Sequence, residues 1–411
     1  MRIAYFVSRF PQQCQTFIRR EINEVVRNGH DVTIFPVVSA AGGSKRQASD
    51  VCACTSVIYT PLSVRQLWHV LKTSPRPCFK MMGFLLSDTW YRPQMFVKSC
   101  IALARGLCAS TIIRDEGYDH IHAHWASYPA TAAMAVSKLS GIPFSFAFHA
   151  YDLFATRIAL KQKLSATRFA VLNSQYSVAF LMRWYPGAPA DKLMLLYNGL
   201  TPDRFADAPR VVPSVVECPH ILAVGRLVST KGFETLVDAC GLLSDEGRAF
   251  RVTLIGSGPN EEGLRRLIHQ RGLESCVTLT GELLQSDVRG YLAEADVVVV
   301  PCVAPRCGAS HDALPNVVIE AQAAGIPVVA SNLFAIPETV RHEETGLLFA
   351  PGDASALKLA MGRLMDDPEL ATRLARQALE EARGRFDVHA NVGRLLDRFQ
   401  RVGEDGSSRL S

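Results

Sequence analysis

The chain opens by alternating apolar runs with a two-faced segment. Residues 3–7 form an apolar run that predicts a buried strand. Over residues 17–27 the apolar side chains fall on one broad face, which predicts a helix, and Gly29 ends it. A second strand is expected over residues 31–38. This strand–helix–strand order is typical of the start of a doubly wound α/β sheet.

The same alternation returns after a proline-rich interruption. Residues 206–219 contain three prolines and predict a linker, and a new strand, loop and helix follow from His220. A chain of 411 residues exceeds the ordinary size of one core, so two domains are expected. The sequence predicts a first domain over 1–205, a second over 220–385, a last helix over 386–402 and a flexible tail over 403–411.

Residues 311–353 hold the densest pattern, which predicts a loop, a short helix and a buried strand. Pro315 suits the first turn of the helix, Gly325 suits its C-terminal cap, and residues 326–330 are apolar like a parallel strand. The open N-terminus of such a helix is an anion site. Seven residues separate Asp312 from Glu320, which is placed to accept hydrogen bonds from two adjacent hydroxyls, such as those of a ribose. The alternative is an ordinary helix–strand unit with two solvated acids.

Three segments together resemble family 4 of the retaining glycosyltransferases, which are sugar-nucleotide enzymes of the GT-B fold. The acid-x7-Glu spacing of residues 312–320 is the first, and the His-x-x-Asp element at His149 and Asp152 is the second. The third is the family's Gly-Arg-Leu-x3-Lys-Gly element, matched by Gly225, Arg226, Leu227, Lys231 and Gly232. One departure leaves the donor sugar open: Ala313 follows Asp312, where the family usually has Glu followed by Gly.

The resemblance implies two Rossmann-like parallel-sheet domains that face a cleft, with the last helix crossing back to the first domain. It implies that cationic and backbone groups of the second domain hold the donor diphosphate: Gly225, Arg226, Lys231, Asn316 and Val317. It also places the transferred sugar at Asp312, the ribose at Glu320 and the first-domain side of the catalytic cleft at His149. Retention of anomeric configuration is likewise implied by the family.

Two runs of possible metal ligands were weighed. His120, His122 and His124 alternate along a predicted strand and would share one face, but no nearby cysteine or acid completes a ligand set. Relatives in the family carry a similar segment without a structural metal. The C-x4-C-x3-H run of residues 302–311 also lacks a fourth ligand, and no Asp-x-Asp occurs. The sequence therefore predicts no metal and no cofactor, with the nucleoside diphosphate sugar as a co-substrate.

Charge divides the chain into two unlike halves. Residues 1–200 carry 22 Lys and Arg against 10 Asp and Glu, whereas the remainder carries 22 against 29. A basic half favours an anionic partner, such as a membrane surface, or serves only solubility. Residues 51–100 hold six basic residues and one acid among aromatic and Met residues on predicted helices. A face that lies on a membrane interface and ordinary core helices are both open interpretations.

The remaining predictions concern compartment and reaction. No run of 18 apolar residues occurs, so no bilayer-spanning helix is expected, and eleven cysteines without a framework spacing fit a reducing compartment. We predict a cytoplasmic enzyme, peripheral at the inner membrane face, that binds no nucleic acid. Its predicted reaction, similar to that of exopolysaccharide members of the family, moves a sugar to a lipid-linked or oligosaccharide acceptor. The alternatives are a sugar-nucleotide epimerase of the same fold and a non-catalytic membrane-associated scaffold.

Overall fold

The computed structural model describes residues 1–10, 16–38, 56–206, 217–305 and 313–407. It divides into two compact units, Met1–Gly199 together with Val388–Ser411, and Leu200–Asp387. Residues 200–206 thus belong with the second unit, whereas the sequence placed the boundary after residue 205. Most of the linker predicted over 206–219 lies outside the described residues.

The first unit is built on a seven-stranded parallel sheet. Its strands are β1 (Arg2–Val7), β2 (Asp31–Pro36), β3 (Ser56–Val57), β4 (His120–His124), β5 (Phe144–Ala147), β6 (Phe169–Leu172) and β7 (Leu193–Leu195). Their order across the sheet is β3-β2-β1-β4-β5-β6-β7, and every pairing is parallel. Because β1 and β4 are neighbours, the direction in which strands are added reverses between them.

Helices cover this sheet. They are α1 (Thr16–Arg27), α2 (Val64–Thr73), α3 (Pro75–Thr89), α4 (Pro93–Asp115), α5 (Tyr128–Ser140), α6 (Leu160–Ala166) and α7 (Gln175–Trp184), and a short π-helical turn spans Tyr151–Thr156. Ile18, Ile22 and Val25 form the buried face of α1. The last helix of the chain, Val388–Ser407, packs against α1 and ends later than the residue 402 expected from the sequence.

The second unit repeats the plan with six parallel strands. They are β8 (His220–Val224), β9 (Arg251–Ile255), β10 (Val277–Gly281), β11 (Val297–Val300), β12 (Val328–Ser331) and β13 (Leu347–Phe349), in the order β10-β9-β8-β11-β12-β13. Its helices are α8 (Phe233–Asp245), α9 (Glu261–Gln270), α10 (Gln285–Glu294), α11 (Asn316–Ala323), α12 (Ala354–Asp366) and α13 (Pro368–Arg385), and the last helix of the chain is α14. The predicted pair of doubly wound parallel-sheet domains is confirmed.

Apolar residues bury both faces of the second sheet, as its near-continuous Val and Leu strands require. Leu254 and Val299 lie in one apolar cluster, while Val298 and Val328 lie in another. Side-chain caps fix where the flanking helices begin: the Asp353 carboxylate accepts the Ala356 N–H, and that of Asp367 accepts the Leu370 N–H. The local sequence thus sets the helix ends, and burial sets the sheet.

One helix differs from the expectation that no segment could cross a bilayer. By length and composition, α4 is long and apolar enough to do so, but half of its apolar stretch is buried in the protein. It packs along α5, and Leu103, Leu107 and Ile113 are buried. The interrupted run of apolar residues concealed this helix because Lys98 and Arg105 lie within it. Length and composition alone are weak evidence for a span, since core helices share them.

Candidate functional site

Each sheet has one point where strands have been added in both directions: between β1 and β4 in the first unit, and between β8 and β11 in the second. At such a point the loops that leave the carboxyl ends of the two strands diverge and open a crevice, which is where doubly wound sheets bind ligands. The predicted site residues that the structure describes follow these strands or their neighbours. Each unit therefore has its own candidate site.

In the second unit, the loop after β8 carries the two predicted diphosphate ligands. Arg226 is exposed and Lys231 is half-buried. A Cβ placed on Gly225 would lie 3.3 Å from Cε of Lys231, so the glycine leaves room for the lysine stem to pass along the backbone. A guanidinium and an ammonium on one short loop suit the two phosphates of a nucleoside diphosphate.

Two glycines hold the neighbouring loops close together. Gly256, at φ +143°, follows β9, and a Cβ there would lie 1.9 Å from the carbonyl oxygen of Gly225. Gly232, at φ +65°, is the N-cap of α8, and a Cβ there would lie 1.9 Å from the carbonyl oxygen of Pro301. Leu227 N–H also donates to Ser257 O at 2.9 Å. The loops after β8, β9 and β11 thus form one packed backbone surface.

The helix α11 lies near the end of β11, since Val317 shares an apolar cluster with Val300 and Cys302. Pro315 is its N-cap, with φ −64° and ψ 129°, and not a residue of the first turn as the sequence suggested. A missing N–H is equally harmless there, and proline favours this extended backbone. Val317 is buried, whereas Asn316 and Glu320 are half-buried and lie one turn apart on the same face. Asp312, the predicted contact of the transferred sugar, lies outside the described residues.

In the first unit, His149 follows β5 and lines a pocket. Its ring packs between Trp125 and Phe17, with centroid distances of 4.8 and 5.1 Å. Asn198 and Gly199 line the same pocket. Burial, followed by the influence of His124, holds the pKa of His149 well below its ordinary value, so the ring is neutral. A neutral ring in a pocket offers both a hydrogen-bond donor and an acceptor.

A buried hydrogen-bonded chain lies behind His149. Nε2 of His149 lies 3.3 Å from Nδ1 of His124, and Nε2 of His124 lies 3.1 Å from Oε1 of Glu21. Tyr5 also donates to this oxygen, at 3.1 Å. Burial alone would raise the pKa of Glu21, but His124, His122 and Tyr5 outweigh it and lower the pKa to about 2. The first unit therefore holds an ionised carboxylate close to the neutral rings of His122 and His149.

This carboxylate corrects the expectation that no acid accompanies the three histidines. Ligand atoms of Glu21, His122 and His124 lie within 4.8 Å of one another, an arrangement that could hold a metal ion. Nε2 of His122 is buried without a hydrogen-bond partner, while its Nδ1 lies 2.7 Å from the Ser145 hydroxyl. His120 also contacts Ser145 and packs on Phe399, at a centroid distance of 4.4 Å, but is not part of this group.

Asp152, the acid of the His-x-x-Asp element, holds neighbouring loops together. Its carboxylate accepts the N–H groups of Ala126 and Ser127, at 2.9 and 3.0 Å, and the His149 N–H at 3.3 Å. It fixes the backbone of His149, and the contacts to the ring come from elsewhere. Burial raises the pKa of Asp152 to about 6.

Lys163 supports the same loops from behind. Its buried ammonium donates to the carbonyl oxygens of Ala126, Ser127 and Ile158, at 2.6 to 2.9 Å. Burial is the largest influence on this group and lowers its pKa to about 7. The loops after β4 and β5 are thus held by one buried acid and one buried base.

Sequence reasoning missed Glu21 and Trp125. Glu21 follows Phe17 by four residues on α1, so a helical projection would have placed it beside a ring of the pocket. Trp125 has φ +76°, unusual for a residue with a Cβ, and its N–H donates to Ala147 O at 3.1 Å. No local sequence pattern predicts that conformation, because Trp125 makes its backbone hydrogen bond with the neighbouring strand β5.

Comparison with known proteins agrees with this geometry. Residues 15–204 match the sequence model named Glycosyltransferase Family 4, and residues 207–381 match that of Glycosyl transferases group 1. The chain is 25% identical over 417 residues to the amylovoran biosynthesis glycosyltransferase AmsK of Erwinia amylovora, covering 98% of this chain and 100% of that protein. It is 28% identical over 420 residues to the putative colanic acid biosynthesis glycosyltransferase WcaL of Escherichia coli (strain K12), covering 96% and 99%.

Solved structures share the fold at lower identity. A sucrose-phosphate synthase from Thermosynechococcus elongatus superposes with a TM-score of 0.73 at 20% identity, covering 98% of this chain and 99% of that one. Anabaena Alr3699/HepE in complex with UDP superposes with a TM-score of 0.69, also at 20% identity, covering 99% and 100%. At this identity the likeness shows the fold alone, and the chemistry rests on the residues described above.

Proposed function

We propose that this chain, a glycosyltransferase that belongs to family 4 and has the GT-B fold, moves a sugar from a nucleoside diphosphate sugar to a lipid-linked or oligosaccharide acceptor. The sugar keeps its anomeric configuration, and the product enters an extracellular or envelope polysaccharide. The two relatives named for amylovoran and colanic acid biosynthesis, matched over nearly their whole length, support this choice of product class.

The observation that carries the donor half of this proposal is the loop after β8. Breaking the bond between sugar and diphosphate leaves negative charge on the departing phosphate oxygens. In this proposal Arg226 and Lys231 stabilise that charge, together with the N–H groups at the start of α11. These cations do what a divalent metal does in other transferases, so the proposed transfer is independent of metal.

The pocket of the first unit is proposed as the acceptor side. Polar groups of His149, Asn198 and Glu21 line it beside the aromatic ring of Phe17. Sugars combine polar edges with apolar faces, and a pocket of this composition can contact both. Glu320, half-buried on α11 in the second unit, is proposed to accept hydrogen bonds from the ribose hydroxyls of the donor.

Calorimetric titration with UDP, GDP, ADP and dTDP, without added metal, tests the donor half. We expect one nucleotide to bind selectively and to bind at least tenfold more weakly to the Glu320→Ala variant, because a charge-assisted hydrogen bond contributes about 1.5–3 kcal/mol. If none of the four nucleotides binds at millimolar concentration, the donor-site assignment is wrong and the result favours the non-catalytic scaffold. If the sugar nucleotide is converted without an acceptor, the epimerase alternative gains.

We further propose a cytoplasmic location with peripheral membrane contact through α2, α3 and the start of α4. Of the 15 large apolar side chains exposed in the described residues, 11 lie in this stretch: Leu62, Val64, Trp68, Leu71, Phe79, Met82, Leu86, Trp90, Tyr91, Val97 and Ile101. The basic residues between them are exposed as well: Arg65, Lys72, Arg76, Lys80, Arg92 and Lys98. We call this set the basic-apolar face.

The acid in this stretch, Asp88, is less exposed than the basic residues. Asp88 accepts the N–H of Ala159 at 2.8 Å and is half-buried. A surface that combines exposed aromatic rings with basic side chains suits the headgroup region of an anionic bilayer.

The seven cysteines described by the structure are free thiols, which supports a reducing compartment.

Sedimentation with phospholipid vesicles tests the membrane proposal. We expect binding to vesicles with 30% phosphatidylserine that falls with salt, and roughly tenfold or greater loss in a Trp68→Ser/Phe79→Ser variant, because each buried aromatic ring contributes about 2 kcal/mol. A Leu284→Ser/Leu359→Ser variant is the matched control, since these side chains are as exposed but lie in the second unit. Equal loss of vesicle binding in both variants, or no vesicle binding by the unchanged chain, would refute membrane contact through the basic-apolar face.

A further inference from the structure

The chain of contacts from Glu21 through His124 to His149 joins three elements. Glu21 lies on α1, His124 ends β4, and His149 follows β5. The two links measure 3.1 and 3.3 Å, and the chain reaches the pocket at His149. His124 is buried, and the Glu21 side chain is only 19% exposed. Bulk water therefore cannot replace either link freely.

The order of donors and acceptors along this chain follows from its one fixed end. An ionised carboxylate accepts only, so the hydrogen between Glu21 and His124 belongs to Nε2 of His124. At pH 8, where an imidazole is ordinarily neutral, a ring protonated on Nε2 has a lone pair on Nδ1. Nε2 of His149 must then donate to that lone pair. His149 in turn carries its own lone pair on Nδ1.

The packing around His149 does not determine which of its two ring nitrogens carries the hydrogen. Trp125 and Phe17 lie against the ring and hold its plane, but aromatic faces make no distinction between the two nitrogens. The Asp152 carboxylate contacts the backbone N–H of His149 and leaves the ring untouched. Among these contacts, the one to His124 selects the protonated nitrogen.

We propose that Glu21 is a positioning residue that acts through His124 to keep His149 protonated on Nε2, so that Nδ1 of His149 accepts a hydrogen bond from a sugar hydroxyl in the pocket. This inference rests on the proposed glycosyl transfer for the identity of the hydroxyl. The fixed tautomer itself is a property of the protein without substrate. A hydroxyl that donates to Nδ1 keeps its oxygen lone pairs available, which suits a group that must be oriented in the pocket.

A metal ion on Glu21, His122 and His124 is the competing use of the same atoms. The observed distances favour the hydrogen bond: Oε1 of Glu21 lies 3.1 Å from Nε2 of His124 and also accepts from Tyr5, whereas Nε2 of His122 is 4.0 Å away from it. A bound metal would take the Nε2 lone pair of His124 and place the proton on Nδ1. It would therefore give His149 the opposite tautomer, which makes the two interpretations separable.

Nitrogen-15 NMR of the full chain labelled in histidine tests the proposal at pH 8, with His149→Gln used to assign the ring. We expect His149 to be protonated on Nε2, and Glu21→Gln to lower that population measurably and to reduce kcat about tenfold, the worth of one hydrogen bond. A wild-type ring protonated on Nδ1, or one unchanged in Glu21→Gln, overturns the proposal. So does zinc binding below micromolar concentration with metal-shifted signals of His122 and His124.

Glu24→Gln is the matched control. Glu24 is another buried acid on α1, and its Oε1 contacts a histidine, Nδ1 of His389, at 2.6 Å, but that histidine lies on α14. We expect this variant to leave the His149 tautomer and kcat within twofold of wild type, and an equal effect of both variants refutes a specific role for Glu21. If the tautomer behaves as expected but no sugar is transferred, the positioning stands and the proposed function fails.

Discussion

The two units share one topology and build unlike sites on it. At the reversal point of the first sheet, side chains dominate: Glu21, His124 and His149 are linked in the interior, and Asp152 and Lys163 hold their loops. At the reversal point of the second sheet, backbone dominates: Gly232 and Gly256 let three loops touch, and Arg226 and Lys231 stand on them. The same fold thus supports a buried hydrogen-bonded network and a cationic backbone cradle.

This difference teaches what each site tolerates. A cradle depends on conformations that only glycine adopts at low cost, so adding one methyl group is enough to disturb it. A buried network depends on the protonation of its members, so changing pH or removing one charge disturbs it. Three experiments separate these sensitivities, beginning with the largest expected effect.

Removing the lysine of the cradle tests whether charge at the second site carries the reaction. We expect Lys231→Ala to lower the transfer rate on the order of 10³-fold, the upper range for losing one group that stabilises developing negative charge. Its thermal unfolding should stay close to that of the unchanged chain, since Lys231 is only half-buried. Lys358→Ala is the control, because this lysine pairs with Glu246 at the surface of the same unit. Near-normal turnover of Lys231→Ala would refute the assignment.

Adding a methyl group to the cradle tests its backbone. Gly256→Ala places a Cβ 1.9 Å from Gly225 O at φ +143°. We expect it to destabilise the second unit by about 3 kcal/mol in urea unfolding and to abolish nucleotide binding. Gly263→Ala, within α9 and with open space around its Cβ position, should instead stabilise by about 0.5–1 kcal/mol. Equal stability of the two variants would contradict the close approach of the loops.

Lowering the pH tests the network of the first unit. The pKa of Glu21 in the folded protein is about 2, below its ordinary value of 4.5, so the ionised form stabilises the fold. That contribution is complete above pH 4.5 and is lost as the pH falls through 2. We expect the free energy of unfolding of the unchanged chain to exceed that of Glu21→Gln by about 2 kcal/mol at pH 7, a value reduced for the partial exposure of Glu21. The difference should shrink below pH 4.5. A difference that stays constant from pH 6 to pH 3 in urea titrations would contradict this.

Much of the fold could be predicted from local patterns. Four consecutive valines at Val297–Val300 can hardly be other than a buried strand, and the amphipathic face of α1 was evident from its spacing. The motif around Arg226 and Lys231 was also local, because all its members lie within one loop. The α4 helix was harder: Lys98 and Arg105 interrupt an otherwise apolar segment, and only packing against α5 shows how much of it is core.

The sequence by itself determined the α/β alternation, the family and the cationic loop of the second unit, since each depends on residues close together in the chain. Only the tertiary structure decided which side chains surround His149 in the first unit. Glu21 and His124 are 103 positions apart, and a further 25 separate His124 from His149. They meet because parallel strands β1, β4 and β5 bring their carboxyl ends to one edge of the sheet, where α1 packs beside them. A contact that depends on strand order has no signature in local spacing.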